Sequence, residues 1–187
     1  TQEDVALAVE GDRIAAIGPT EDVLKRYPNA DVYDGRGKAL LPGITNCHMH
    51  MSAVIARGYN EDFGFPNSIR LAVSPESLLS ADERQLMIQV AALESIKTGT
   101  TTVVENVGDI LPHAAILAAS GLRCVFAEAV RDAENVPGPM APEGLANTRE
   151  APRFSPRLRD EGMQRINDLF TAWHGKQGGR IRVFPAA

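Results

Sequence analysis

With 187 residues and 44% hydrophobic content, the chain can bury a core of its own or belong to one somewhat larger domain, and disorder is excluded. A net charge of −5 without any basic cluster argues against a nucleic-acid polymer as partner, because such surfaces carry a stripe of Lys and Arg. Apolar runs such as Ala114 to Ala119 fall far short of the ~20 residues that cross a bilayer, and no charged-then-apolar signal opens the sequence, so a cytoplasmic location without membrane contact is expected.

In chain order, Val5 to Val9, the turn-like Glu10-Gly11-Asp12 and Arg13 to Ile17 predict a β-hairpin, and Asp22 to Arg26 one helical turn. Ala30 to Tyr33 and Lys38 to Leu41, on either side of Asp34-Gly35-Arg36-Gly37, predict a second strand pair. Isolated hairpins bury too little to stand in water, so residues 1–41 call for further strands. Pro42-Gly43 punctuates the approach to a strand starting at Ile44. The irregular stretch from Tyr59 to Pro75 reads equally as a surface connection or as a loop that contacts substrate. Ser80-x-x-Glu83 is a capping box, and it opens a helix whose apolar face is Leu86, Val90, Leu93 and Ile96.

After Gly99 comes a β-branched strand from Thr100 to Val104 that ends in Glu105 and Asn106. Ile110 to Ser120 predicts a second helix, stopped by Gly121, and Leu122 to Val130 a third strand. Arg131 to Pro156, with Pro137, Pro139, Pro142 and Pro152, predicts a long irregular connection of the kind that often covers a site. Leu158 to Trp173 predicts a third helix, its core face Met163, Ile166, Leu169, Phe170 and Trp173, before a fourth strand from Arg180 to Phe184. Cys47 and Cys124 fall in candidate strands and read as small buried core thiols rather than as disulfide partners or nucleophiles.

The chemistry concentrates at His48 and His50. Two residues apart on a strand, they leave on one face together with Ile44 and Asn46, while Thr45, Cys47 and Met49 take the other. Two neutral imidazoles converging on one side are what a divalent ion needs, although a bare His-x-His is more often structural. Of the other histidines, His113 lies inside a helix and His174 at a helix C-terminus near its last carbonyls, and both read as structural.

The wider run Pro42-Gly43, Asn46, His48-x-His50 and Arg57-Gly58 resembles the first barrel strand of the amidohydrolase superfamily. The likeness is strongest to the branch of cytosine, guanine and S-adenosylhomocysteine deaminases and triazine hydrolases. That branch's PG-x-x-N-x-H-x-H sequence supplies two metal ligands, and Cys47 stands where many members carry Ala. Lys97 to Thr102 is similar to the branch's SGTTT before the second strand, and Arg180-Ile181-Arg182-Val183 to its fourth strand, so the resemblance covers nearly the whole chain.

This resemblance implies an α/β fold. Residues 1–41 would be part of a small β-sandwich, and residues 42–187 about four strands of a partial (β/α)₈ TIM barrel, the N-terminal half of a metal-dependent hydrolase. A closed barrel has eight strands and ~250 residues, and four strands leave an open edge, so the remaining half of the barrel is an expected partner, from the same gene product or another chain. A homo-oligomer is also expected. One divalent metal is implied on His48 and His50, zinc first, with iron, cobalt or manganese compatible with the ligand type. Such an ion lowers the pKa of a bound water toward ~7, and the hydroxide attacks a small-molecule substrate, cleaving a non-peptide C–N bond by deamination or by amide- or urea-type hydrolysis. Another leaving group such as chloride stays open, as does a non-enzymatic assembly protein on the same fold. The resembled family's later ligands and its catalytic acid/base have no counterparts here, and its Pro-His after the fourth strand is either replaced by Pro185-Ala186 or lies beyond Ala187. Glu105 and Glu128, near the ends of the second and third strands, are candidate substrate-binding residues, or else solvated or ion-paired carboxylates. Arg57 projects after the ligands or secures a loop, and Asn46 shapes the cavity or bonds the backbone.

Overall fold

A computed structural model describes residues 3–58, 75–134 and 153–186. The irregular stretches expected after Tyr59 and after Arg131 lie mostly outside these residues. The chain divides into two compact units, Thr1–Leu41 and Pro42–Ala187.

In the first unit, β1 (Val5–Glu10) and β2 (Arg13–Pro19) pair antiparallel, with Leu7 opposite Ile17 and Glu10 opposite Arg13. Gly11 takes φ 60° in the tight turn between them, a conformation that a residue without a Cβ adopts freely. Helix α1 (Thr20–Arg26) follows directly, with Glu21 and Asp22 in its first turn and Lys25 and Arg26 in its last, each placed to suit the helix dipole. The expected second strand pair is absent, since residues 31–43 carry no strand and Val32, Tyr33, Leu40 and Leu41 are exposed. Its turn does form: Arg36 N donates to Asp34 Oδ1 at 3.0 Å and Lys38 N to the Gly35 carbonyl at 2.9 Å. Strand preference is a preference for packing against a neighbour, and no described strand lies alongside these segments to complete a ladder.

The second unit is built on a parallel sheet of β3 (Ile44–Met49), β4 (Thr100–Val107), β5 (Arg123–Ala129) and β6 (Ile181–Ala186), in sequential order. Helices α2 (Ala81–Lys97), α3 (Ala114–Ala119) and α4 (Pro156–Trp173) lie in the connections. Gly43 leads into β3 so close to Thr101 that a Cβ there would run into the threonine side chain. The register sets Val103, Cys124 and Ile181 in one row and Phe126 and Val183 in the next. These residues are buried with Met51, Ile88, Leu117 and Leu169 as one core. Among the described residues no helix is long and apolar enough to cross a membrane.

Ser80 caps α2 as expected: its hydroxyl accepts from Glu83 N, and Glu83 Oε2 accepts from Ser80 N at 2.9 Å. The buried face of α2 differs from the expected one. Ile88, Ala91, Ala92 and Ser95 face inward, while Leu86, Leu93 and Ile96 are 53%, 57% and 46% exposed. Both stripes have helical spacing, and close packing on the sheet selects the one with small side chains. Helix α4 starts on Ser155, whose hydroxyl accepts from Leu158 N, with Pro156 in its first turn. It buries Gly162 with Ile166 and Leu169 of the expected face and packs Trp173 against the core, but leaves Met163 and Phe170, also expected inside, half exposed. A Cβ on Gly162 would approach Val130 Cγ1 to 2.8 Å, so the helix axis sits too near the end of β5 for longer side chains to point inward there. Cys124 is buried, which pushes its thiol up to about 12, whereas Cys47 is exposed, a correction to its expected place in the core. Both cysteines are free.

Candidate metal centre

The histidine pair stands where β3 stops following a regular ladder. Asn46 is opposite Val103, and the next matched pair is Met49 opposite Glu105, three residues against two, so the strand bulges over Cys47 and His48. The strand ends at Met49, and His50 lies one residue beyond it with φ −128° and ψ 90°, capping a 3₁₀ turn over Met51–Ala56. The simple two-face alternation expected for this run is therefore broken. The rings still converge: His48 Nε2 and His50 Nε2 are 3.1 Å apart, with centroids at 4.7 Å and planes at 87°. That separation is what two imidazole nitrogens have when both lie at the usual ~2.0–2.1 Å from one ion. Both rings are exposed and thus open to a ligand. Asn46 serves the backbone, its Oδ1 accepting from His48 N at 3.1 Å across the bulge. Among the described residues no group of three or more His, Cys, Asp or Glu could hold a metal, so the pair is a partial donor set that fits a divalent ion in chemistry and spacing.

Glu105 and Glu128 are both fully buried. Glu105 accepts from Met51 N through both carboxylate oxygens at 3.1 Å. Burial pushes its carboxyl up to about 7, against the lowering effect of that one amide and with a smaller upward push from the charge of Glu76. Glu128 accepts from Asp109 N at 2.7 Å, Ile110 N at 2.9 Å and Arg165 Nε at 3.1 Å. Its carboxylate is committed to the fold, in the ion-paired role that was the alternative to substrate contact. Arg57 secures local structure, its guanidinium gripping both oxygens of Glu94 at 2.6 Å. Ser52 Oγ donates to Glu76 Oε1 at 3.1 Å beside the same 3₁₀ turn.

His113 is half-buried within the β4-to-α3 connection, and its Nε2 has no hydrogen-bond partner among the described residues. Burial holds its imidazole below the usual histidine range, with Asp109 and Glu128 opposing. His174 caps α4, stacks on Phe170 at 4.2 Å, and accepts from Val183 N on Nδ1 at 3.2 Å. Its backbone N–H donates to the Phe170 carbonyl at 2.9 Å, while its ring meets the strand amide. Sequence reasoning missed Glu94, Arg165 and the Met51 amide, because each acts across a tertiary contact that leaves no local pattern.

Fold and site together define an α/β protein with an imidazole pair at the carboxyl end of a parallel strand. Its relatives narrow this class. Residues 6–30 match the family described as "Imidazolonepropionase-like composite domain, bacteria". The chain is 32% identical over 152 residues to 5-methylthioadenosine/S-adenosylhomocysteine deaminase 1 of Syntrophus aciditrophicus, covering 79% of this chain and 34% of that protein. A solved triazine hydrolase variant superposes with a TM-score of 0.69 at 19% identity, over 98% of this chain and 41% of the other. A zinc-bound adenosine deaminase from Xanthomonas campestris superposes with a TM-score of 0.58 at 19% identity, over 98% and 38% respectively. These relatives, with 5-methylthioadenosine/S-adenosylhomocysteine deaminases among them, support the amidohydrolase resemblance carried by Pro42-Gly43, Asn46 and His48-x-His50. The chain spans about a third of the length of the curated relatives it matches.

Proposed function

We propose that the protein is a metal-dependent hydrolase that cleaves a non-peptide C–N bond of a small molecule, by deamination or by amide- or urea-type hydrolysis. The observation that carries this reading is the 3.1 Å approach of the two histidine Nε2 atoms at the carboxyl end of a parallel strand. Solved relatives of this fold include a zinc-bound deaminase, which supports zinc as the ion. The sequential parallel order of β3 to β6 supports a (β/α)₈ barrel begun by Pro42–Ala187, with Thr1–Leu41 contributing to a small β-sandwich. In such barrels chemistry gathers at the strand carboxyl ends, where the pair lies.

His48 and His50 would hold the ion through Nε2. When bound, the ion supplies a Lewis acid and a water acidified toward pKa ~7. Asn46 fixes the peptide of His48, and the Arg57–Glu94 clasp anchors the chain beyond the 3₁₀ turn. The exposed rings leave room for a small substrate and for donors from elsewhere in the protein.

Metal content and ammonia release, measured on full-length protein purified without chelator, test this reading. Near-stoichiometric zinc is expected, lost together with turnover in His48→Ala and His50→Ala and kept in His113→Ala. Wild-type protein with less than about a tenth of an equivalent of transition metal, or a His48→Ala variant with full metal and rate, would overturn it. Turnover without ammonia would assign an amide-cleaving or dehalogenating hydrolase instead of a deaminase.

A further inference from the structure

The turn that carries His50 is held by the same device as the turn after β4. Met49 is the ladder partner of Glu105, and the Glu105 carboxylate accepts from the amide two residues on, Met51 N. Val107 is the ladder partner of Glu128, and the Glu128 carboxylate accepts from the amides two and three residues on, Asp109 N and Ile110 N. In both cases a buried carboxylate near the end of one strand caps the turn leaving the preceding strand. A 3₁₀ segment follows each, Met51–Ala56 and Leu111–His113. The first turn follows the histidine pair, and the second carries neither of those histidines.

Resting on the metal-centre reading above, we propose that Glu105 is a positioning residue for the His48–His50 donor pair. His50 has left the ladder, and its own backbone follows a bulge, so the sheet does not set the direction of its ring. The peptide joining His50 to Met51 is fixed instead from β4, by both oxygens of a carboxylate that is fully buried. Met51 itself is fully buried in the core, so this peptide is anchored on its side-chain end and on its amide. Removing the acceptor frees the peptide that follows the ring and widens the range of Nε2–Nε2 separations, which weakens a site needing both nitrogens at one distance. Glu128 is the internal control, because it performs the same backbone duty for a turn outside the donor pair.

The test is Zn²⁺ affinity by competition with a chromophoric chelator, together with thermal unfolding of the metal-free form, both on full-length protein. Glu105→Leu fills the buried site without an acceptor, and its Zn²⁺ affinity is expected to fall about ten-fold or more. Glu105→Gln retains an accepting oxygen and is expected to stay within about three-fold of wild type. Glu128→Leu is expected to lose thermal stability yet keep Zn²⁺ affinity within about three-fold. If Glu105→Leu does not fold, Glu105→Asp decides in its place, since its carboxylate is withdrawn by one methylene and a loss of about ten-fold is again expected. Equal Zn²⁺ affinity in Glu105→Leu and wild type, or equal losses in the Glu105 and Glu128 variants, overturns this inference alone. Wild-type protein that takes up no Zn²⁺ overturns the metal centre and the inference with it.

Discussion

At the end of β3 a single amide, that of Met51, meets the buried carboxylate of Glu105. At the end of β4 two amides and the guanidinium of Arg165 meet the buried carboxylate of Glu128. A carboxylate taken out of water is matched by several donors or a cation, and Glu128 meets three donors where Glu105 meets one. Glu105 is pushed up to about 7 as a result. The backbones differ in the same sense: β4 keeps an unbroken ladder through Val107, while β3 bulges before Met49. The turn next to the histidines is thus the less satisfied of two similar turns, consistent with functional sites being where folds depart from their own local rules.

The comparison can be broken most directly at Glu128. Glu128→Ala leaves two amides and a half-buried guanidinium without their acceptor and should cost about 4 kcal/mol in denaturant unfolding of the metal-free protein. A loss below about 1 kcal/mol would mean that the β4 turn holds without its carboxylate.

A somewhat smaller effect is expected from pH. Because the native pKa of Glu105 is raised from 4.5 to about 7, the folded protein retains a proton that the unfolded chain has already released. The associated stability is fully present below pH ~4.5 and is lost as pH rises through ~7, a change of about 3 kcal/mol. Unfolding of metal-free wild type and Glu105→Gln across that window should show the wild type losing ground by this amount. A constant difference between them would mean that Glu105 is as well matched as Glu128.

The smallest effect concerns the backbone of the β4 turn. Asp109 sits there at φ 62°, in the left-handed region that short polar residues tolerate and β-branched ones do not. Asp109→Val should cost about 1–2 kcal/mol by thermal unfolding, with Asp109→Gly close to wild type. His50, at φ −128°, places no such demand on its own turn.

Much of this was legible along the chain. Glu10-Gly11-Asp12 marked the hairpin, Ser80-x-x-Glu83 marked the start of α2, and runs of β-branched and apolar residues marked the four parallel strands. The nearness of His48 and His50 was legible as well, since they are two residues apart, although a bulge and the end of the strand, not the expected alternation, set how their rings meet. These features depend on residues within a few positions of one another, whose steric and hydrogen-bonding preferences act before any tertiary contact forms.

Tertiary structure decided the rest. Two stripes of α2 had helical spacing, and only the closeness of the sheet selected Ile88, Ala91, Ala92 and Ser95 over Leu86, Leu93 and Ile96. Ala30 to Tyr33 had the composition of a strand, but a strand exists only where a neighbour accepts its ladder. Glu105 and Glu128 could be placed at strand ends, yet whether they faced a substrate, the solvent or a neighbouring turn depended on β-sheet register, which sets Glu105 beside Met49 and Glu128 beside Val107. The His174 ring likewise found the Val183 amide as well as Phe170 of its own helix. Each of these outcomes is a contact between residues far apart in sequence, and the spacing of residues along one segment carries no information about which distant partner will arrive.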